Sequence, residues 1–166
     1  MRDLVIVGSG PAGLSAAVYA KRAMMDVVVL EKEAFSGGQI VNTEQVDNYL
    51  GLPGISGFDM GMKFREHADT FGVEFDDREV TAIEDHGDHK VSLEDGSSIE
   101  TKAVLIATGA KHRKLGVAGE EEFTGAGVSY CATCDGAFFR NKEVAVVGGG
   151  NIALEDALYL SKMCSK

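Results

Sequence analysis

The chain has 166 residues, a formal net charge of −10, 45% hydrophobic residues and three cysteines. This length is typical of one domain, the hydrophobic fraction argues against a disordered chain, and no apolar run approaches the roughly 20 residues of a membrane-spanning helix. The acidic balance argues against nucleic-acid and membrane-surface partners, which attract basic proteins, and three cysteines without an export signal predict a soluble cytoplasmic protein.

The first elements along the chain predict a βαβ unit. An apolar run, Leu4–Val7, is followed by a glycine turn at residues 8–13 and then by apolar residues at helical spacing. Pro11 suits the first turn of that helix, where its missing N–H costs nothing. A second apolar run, Val27–Leu30, ends at Glu31. Strand, glycine turn, helix and strand within about 30 residues are typical of a parallel sheet.

The middle of the chain predicts a long loop, one helix and several short strands. Residues 32–57 are irregular and rich in glycine, and so long a loop usually binds something. Asp59 is predicted to cap an amphipathic helix, which Gly72 ends. Short β-type pieces over residues 73–99 predict a small antiparallel meander, and residues 103–107 predict a further buried strand.

The last third of the chain begins a second unit. Residues 116–127 form a Gly- and Glu-rich loop that predicts a hinge or domain boundary, with Glu120 and its acidic neighbours in solvent. Residues 143–147 predict a strand, which leads into a glycine cluster at 148–153 and a helical pattern at 154–163. This order repeats the first strand, turn and helix, and no strand follows to pair with the first one.

Both glycine clusters suggest dinucleotide sites. In such a turn the first glycine permits the tight bend, the second lets the backbone approach a pyrophosphate, and the third lets helix pack on strand. The helix N-terminus offers free N–H groups to the phosphates, and Glu31 can accept hydrogen bonds from ribose hydroxyls. The second cluster by itself fits a cofactor turn and a structural turn equally. Paired with the first it indicates two nucleotides, one in each domain.

Cys131 and Cys134 are separated by two residues, which fits either half of a zinc site or a redox dithiol. No other cysteine or histidine has ligand spacing, so the dithiol is favoured and no metal is expected. In a redox dithiol one thiolate attacks while its neighbour resolves the mixed disulfide. Asp135 can serve these thiols as an acid or a base, and Cys164 is assigned no role.

Five motifs occur in the order and spacing of the low-molecular-weight thioredoxin reductases, which the sequence resembles over its whole length. They are Gly8-Ser-Gly-Pro-Ala-Gly13, Gly37-Gly-Gln39, Ala107-Thr-Gly109, Cys131-Ala-Thr-Cys-Asp135-Gly136 and Gly148-Gly-Gly-Asn-x-Ala153. The resemblance implies an α/β fold, with a Rossmann-like FAD-binding domain made of a parallel sheet and a small antiparallel meander. The start of a second Rossmann-like domain, which binds NADPH, would follow it. The two parts would be residues 1–115 and 116–166, both incomplete.

The resemblance also implies roles for individual residues. The FAD site would contain Gly8, Ser9, Gly10, Pro11, Ala12, Gly13, Glu31, Lys32, Ser36, Gly37, Gly38, Gln39, Asn48, Ala107, Thr108 and Gly109. The NADPH site would contain Gly148, Gly149, Gly150, Asn151 and Ala153. Cys131 and Cys134 would form the redox disulfide, with Asp135 as acid–base partner. Electrons would pass from NADPH through FAD to this disulfide and on to thioredoxin, in an enzyme that is usually a homodimer.

Two other interpretations remain. One is a related flavin-linked disulfide reductase, either the alkyl hydroperoxide reductase flavoprotein or a ferredoxin-dependent type. The Ala-Thr pair between the cysteines weighs against the former, and the second glycine cluster weighs against the latter. The other is a non-catalytic fragment that serves binding or dimerisation. Since the resembled family continues for about as much chain again, we expect residues 1–166 to have little activity alone and to bind FAD poorly.

Overall fold

The structure, a computed structural model, describes all 166 residues and divides them into two compact units. The first unit is Met1–Lys111 and the second is His112–Lys166. This division lies close to the boundary expected after residue 115, and the assignment of an FAD-binding and an NADPH-binding domain to the two parts stays a prediction. No helix is long and apolar enough to cross a bilayer.

The first unit contains seven strands in two sheets. In chain order they are β1 (Leu4–Val7), β2 (Val27–Leu30), β3 (Glu74–Asp76), β4 (Val80–Asp85), β5 (His89–Leu93), β6 (Ser98–Thr101) and β7 (Val104–Ile106). A four-stranded sheet has the order β3-β2-β1-β7, with all of its pairs parallel, and β4-β5-β6 form a three-stranded antiparallel sheet. The bounds predicted for β1 and β2 are confirmed, and so is the antiparallel meander over β4 to β6.

The meander is shorter than the sequence predicted, because residues 74–76 do not belong to it. They form β3, which pairs in parallel with the edge of β2, where Phe75 lies opposite Val29. Phe75 also packs against the hydrophobic core on the helical side of the parallel sheet. A free sheet edge and a core position for Phe75 therefore decide the partner of this strand.

Two helices and the meander cover opposite faces of the parallel sheet. The helices are α1 (Pro11–Arg22) and α2 (Gly57–Thr70). Alternate residues of a strand point to opposite faces, and β1 follows this rule. Ile6 packs with the helices, and Val5 packs with Val91 and Leu93 of β5. The unit thus has three layers, and β1 lies in the middle of its core.

The start of α2 differs from the prediction, whereas its end agrees. Ser56 is the N-cap, and its Oγ accepts a hydrogen bond of 3.0 Å from the backbone N–H of Asp59. Asp59 therefore lies in the first turn, where its negative charge interacts favourably with the positive end of the helix dipole. Gly72 has φ +67°, the left-handed conformation that commonly terminates a helix, so the predicted stop is confirmed.

The second unit contains the helices α3 (Ala132–Asp135) and α4 (Asn151–Leu160), with a 3-10 turn over Gly136–Phe139. The strand predicted at residues 143–147 is absent. A strand needs a partner backbone along its length, and the one backbone hydrogen bond of this segment runs from the N–H of Val144 to the carbonyl oxygen of Lys166. Val147 is largely exposed, so its apolar character does not bury it here.

Truncation of Ile6 tests the position of the core. We expect Ile6→Ala to reduce the free energy of unfolding by about 3 kcal/mol, because the side chain is fully buried between the parallel sheet and the helices. The matched control is Ile106→Ala on β7, where 68% of the residue is exposed and the loss should stay within about 0.5 kcal/mol. Urea unfolding followed by circular dichroism measures both, and equal losses would contradict the described layering.

Candidate functional site

The first glycine turn packs backbone against backbone at two points. Gly8 has φ +105°, and a Cβ there would lie 2.4 Å from the carbonyl oxygen of Ala107, at the end of β7. A Cβ on Gly13 would lie 2.0 Å from the carbonyl oxygen of Gly8. No side chain fits at either position. Both glycines are therefore required for α1 to begin directly above the carboxyl ends of β1 and β7.

The N-terminus of α1 is left without a protein cap. Gly10 is the N-cap residue, no side chain accepts a hydrogen bond from the first turn, and no acidic residue lies in that turn. Pro11 and Ala12 are exposed. The first N–H groups of a helix have no partner within it and carry partial positive charge. This end of α1 has the form of an anion site, and it fits the pyrophosphate of a dinucleotide.

Glu31, at the end of β2, lies directly beside this turn. Its carboxylate accepts hydrogen bonds of 2.8 Å from both the backbone N–H and the hydroxyl of Ser9, which is fully buried. A third bond of 3.0 Å comes from the N–H of Glu33. In this structure the carboxylate holds the glycine turn, and its predicted contact with a ribose stays a prediction.

The Gly37-Gly38 segment of the long loop lies against the same turn. The N–H of Gly37 donates a 3.0 Å hydrogen bond to the carbonyl oxygen of Ser9. A Cβ on Gly38 would come within 3.3 Å of the Cα of Gly10. Gln39 reaches the other side, where its side-chain amide donates to the carbonyl oxygen of Ala110. The structure therefore gathers three of the predicted motifs around one surface.

Other predicted FAD-site residues lie at the edge of this surface or away from it. Thr108 and Gly109 are exposed just after β7, and the Lys32 ammonium pairs with Glu79 at 2.5 Å. Asn48 is exposed in a loop that a bridge between Val46 and Ile55 closes, and no hydrogen bond links it to the glycine turn.

A cleft of about 520 Å³ is lined by Glu31 and by several residues that the sequence motifs did not reveal, two of which pack on each other. They are Arg65 on α2 and Phe75 on β3, and the guanidinium carbon of Arg65 lies 3.4 Å from the centre of the Phe75 ring. Arg65 also donates a 3.3 Å hydrogen bond to the hydroxyl of buried Ser36. Arg65 and Phe75 are not part of any motif, so only their meeting in space assigns them to this cleft.

The second glycine cluster repeats the first in local form. Gly148 has φ +142°, and Gly150 is the N-cap of α4. This helix also begins without a side-chain cap and without an acidic residue in its first turn. Gly149 and Asn151 are exposed, and a Cβ on Gly148 would lie 3.0 Å from that of Ala153. The N-terminus of α4 therefore also fits a phosphate-bearing ligand.

Cys131 and Cys134 form a disulfide across α3. The backbone N–H of Cys134 donates a 3.2 Å hydrogen bond to Sγ of Cys131, and the hydroxyl of Thr133 lies 3.4 Å from the same sulfur. Asp135 accepts a 2.5 Å hydrogen bond from the hydroxyl of Ser129. That hydroxyl in turn accepts a 3.1 Å bond from the N–H of Cys131. Ser129 thus connects the predicted acid–base residue with the backbone of the first cysteine.

Glu120 is buried, which contradicts the expectation of a solvated acidic loop. Only 5% of the residue is exposed, and its carboxylate accepts hydrogen bonds from the Tyr130 hydroxyl and from three backbone N–H groups of residues 115–117. These donors, the Tyr130 hydroxyl first, lower the pKa of Glu120 to about 2. The sequence could not single out Glu120, because its neighbour in the same run of glutamates, Glu121, is exposed and pairs with Lys114 at the surface.

A family model described as pyridine nucleotide-disulphide oxidoreductase matches residues 2–166. The chain belongs to this family. The family name joins a pyridine nucleotide to a disulphide, and this chain contains one disulfide and two glycine turns that lead into helices without side-chain caps. The predicted α/β class is confirmed, with its Rossmann-like parallel sheet and small antiparallel sheet.

The chain is also similar to individual thioredoxin reductases. That of Listeria monocytogenes is 46% identical over 164 residues, covering 99% of this chain and 51% of the relative, and that of Bacillus subtilis is 45% identical with 99% and 52% covered. The crystal structure of thioredoxin reductase from Streptococcus pyogenes matches with a TM-score of 0.94 at 50% identity, covering 100% of this chain and 54% of that one. The resemblance inferred from the five motifs is confirmed. The chain spans about half the length of the curated relatives it matches.

Acidification is expected to remove the stabilisation that Glu120 gives to the folded chain. The folded state keeps the carboxylate ionised down to its pKa of about 2, whereas the unfolded chain protonates it near the ordinary value of 4.5. The stabilisation is therefore complete above pH 4.5 and is lost as the pH falls toward 2. In urea unfolding, the free-energy difference between the wild type and Glu120→Gln should shrink over this range.

The control for this titration is Glu121→Gln, which removes the neighbouring exposed carboxylate. Its pair with Lys114 is accessible to salt, so the effect of Glu121→Gln should vanish in roughly 1 M NaCl while that of Glu120→Gln persists. A Glu120→Gln difference that stays constant as the pH falls would contradict the assigned hydrogen bonds.

Proposed function

We propose that the chain is the N-terminal part of a thioredoxin reductase that uses FAD and NADPH. The observation that carries the proposal is the Cys131–Cys134 disulfide, which lies in the sequence between two uncapped glycine turns. A dinucleotide turn on each side of a redox disulfide matches an enzyme that passes electrons from one nucleotide through another to that disulfide. The similarity to the Listeria monocytogenes and Bacillus subtilis thioredoxin reductases supports the same assignment.

The residues of the first turn fit FAD. Gly10 and Gly38 leave an open surface in front of the uncapped N-terminus of α1, and Glu31 supplies a carboxylate at the end of the neighbouring strand. When bound, FAD would supply hydride acceptance from NADPH and two-electron transfer to a disulfide. The protein's part in that step is to bind the pyrophosphate at α1 and to orient the dinucleotide along the carboxyl ends of the strands.

The reduced pair Cys131 and Cys134 would then act by thiol–disulfide exchange. One thiolate attacks a sulfur of the thioredoxin disulfide, forming a mixed disulfide and releasing the other sulfur as a thiolate. The second thiolate displaces thioredoxin from the mixed disulfide, so this pair is oxidised by two electrons and thioredoxin is reduced by two. Close spacing favours the second step because the resolving thiolate is already beside the mixed disulfide.

Asp135 is proposed as the group that takes and returns protons during this exchange. Its carboxylate lies at the C-terminal end of α3, one residue after Cys134, and accepts a hydrogen bond from the Ser129 hydroxyl. The family likeness further suggests a cytoplasmic homodimer whose partner is thioredoxin, with neither nucleic acid nor membrane involved.

The activity is tested by completing the chain. Residues 1–166 are joined to the remaining half of the Listeria monocytogenes relative, and the purified chimera is examined for flavin absorbance and for NADPH-dependent reduction of thioredoxin. We expect a yellow protein that reduces thioredoxin, because both glycine turns and the disulfide come from this chain. The Cys134→Ser chimera should keep its flavin spectrum and lose more than 99% of the turnover (about a hundredfold), since no disulfide can form.

Three outcomes separate the interpretations. A yellow chimera that reduces a peroxide-linked disulfide partner but not thioredoxin would favour the alkyl hydroperoxide reductase type. A yellow chimera reduced by ferredoxin and not by NADPH would favour the ferredoxin-dependent type. A correctly folded chimera without flavin absorbance would contradict the proposal and favour a non-catalytic role.

Substitution of Gly10 tests the FAD site. A Cβ at this position has no protein atom closer than 4.0 Å, so Gly10→Ala should leave the fold intact while its methyl group occupies the space in front of α1. We expect the FAD affinity of the chimera to fall about tenfold or more, because the pyrophosphate must approach this backbone closely. Fluorescence titration with FAD measures the change.

Gly127→Ala is the matched control for Gly10→Ala. Its Cβ would meet nothing within 4 Å, and it lies outside both glycine turns. Its FAD affinity should equal that of the wild type. Equal affinities for all three proteins would argue against the placement of the pyrophosphate at α1.

A further inference from the structure

Tyr130 precedes the redox disulfide directly in the chain and is held from two sides. Its hydroxyl donates a hydrogen bond to the buried carboxylate of Glu120. Its ring stacks on that of His112, with ring centres 5.1 Å apart and the planes inclined by 5°. Both contacts lie within the second unit. The backbone that enters Cys131 is therefore attached to residues far earlier in the loop.

Glu120 attaches the same point to a second stretch of backbone. Its carboxylate accepts hydrogen bonds of 2.6 Å from the N–H groups of Leu115 and Gly116, and the Thr124 hydroxyl donates a 2.7 Å bond to its carbonyl oxygen. One side chain thus connects the start of the Gly- and Glu-rich loop with the residue before the disulfide.

The disulfide needs such support because its own helix is short. The four residues of α3 make a single turn, and a turn of this length does not hold its conformation alone. Its C-terminal side is held by packing, since a Cβ on Gly136 would come within 3.1 Å of Tyr159 and 3.3 Å of Leu160, both on α4. Its N-terminal side is held by hydrogen bonds, from the N–H of Cys131 to the hydroxyl of Ser129 and from the hydroxyl of Tyr130 to Glu120.

We propose that Glu120 and Tyr130 are positioning residues for the redox disulfide, which they act on by fixing the backbone at Cys131. Their role in turnover rests on the proposed function, whereas their effect on the thiol–disulfide equilibrium does not. The couple is one disulfide plus two electrons and two protons, in equilibrium with two thiols. A fixed backbone keeps Cys131 and Cys134 at a Cα separation of 5.3 Å, which raises the effective concentration of one thiol at the other and favours the disulfide.

The test measures this equilibrium in residues 1–166, without FAD or NADPH. The chain is equilibrated in dithiothreitol redox buffers, the free thiols are alkylated, and the oxidised fraction is determined by mass spectrometry. We expect Tyr130→Phe, which removes only the hydroxyl, to lower the equilibrium constant for disulfide formation about tenfold, which is a rise of about 30 mV in the reduction potential. Glu120→Gln should lower it at least as far, and the double variant no further than Glu120→Gln, because the two residues share one interaction.

Glu121→Gln is the control, and its equilibrium constant should stay within about twofold of the wild type because this carboxylate faces solvent. Circular dichroism establishes that each variant is folded.

If Glu120→Gln does not fold, the result for Tyr130→Phe decides alone. A Tyr130→Phe constant within twofold of the wild type, or above it, overturns the proposal, and so do fully additive effects in the double variant. A chimera that fails to reduce thioredoxin would reject the proposed function and leave this equilibrium effect standing.

Discussion

The turn between β1 and α1 brings backbone atoms closer together than any side chain permits. The space for a Cβ on Gly13 is occupied by the carbonyl oxygen of Gly8, and that for Gly8 is occupied by the carbonyl oxygen of Ala107. This contact sets where α1 starts, and so where its unpartnered N–H groups lie relative to the strand ends. Buried Ser9 lies within this turn and connects it to two other segments. Its N–H and hydroxyl donate to the carboxylate of Glu31, and its carbonyl oxygen accepts a hydrogen bond from the N–H of Gly37. The candidate dinucleotide surface is a consequence of that packing.

The three-layer core holds the turn in place. β1 is an inner strand that pairs with β2 on one side and β7 on the other, and its residues alternate between the helical layer and the meander. Because Ile6 and Val5 are both fully buried, neither face of β1 can shift without loss of apolar contact. A buried strand therefore presents the glycine turn at its end, which is the usual arrangement for a binding loop on a rigid scaffold.

The redox segment has a different kind of support. It has a helix of one turn, which packs against α4 at Gly136 on its C-terminal side and is held on its N-terminal side by hydrogen bonds to a few polar groups. Glu120 is central because one carboxylate accepts from the backbone N–H groups of residues 115–117 and from the side-chain hydroxyl of Tyr130, and these donors also lower its pKa. A carboxylate that accepts four hydrogen bonds can fix a loop that lacks a hydrophobic core of its own.

The sequence by itself determined the local elements whose signals lie in adjacent residues. The bounds of β1 and β2, the glycine turn, the left-handed stop at Gly72 and the likeness to the thioredoxin reductases were all readable from short patterns. Only the tertiary structure decided the features that need a partner from elsewhere in the chain. Among these are the pairing of β3 with β2, the irregular backbone at 143–147, the contact of Arg65 with Phe75, and the burial of Glu120. The reason is physical: a strand exists only beside another backbone, and a carboxylate is buried only where donors from distant residues replace its water.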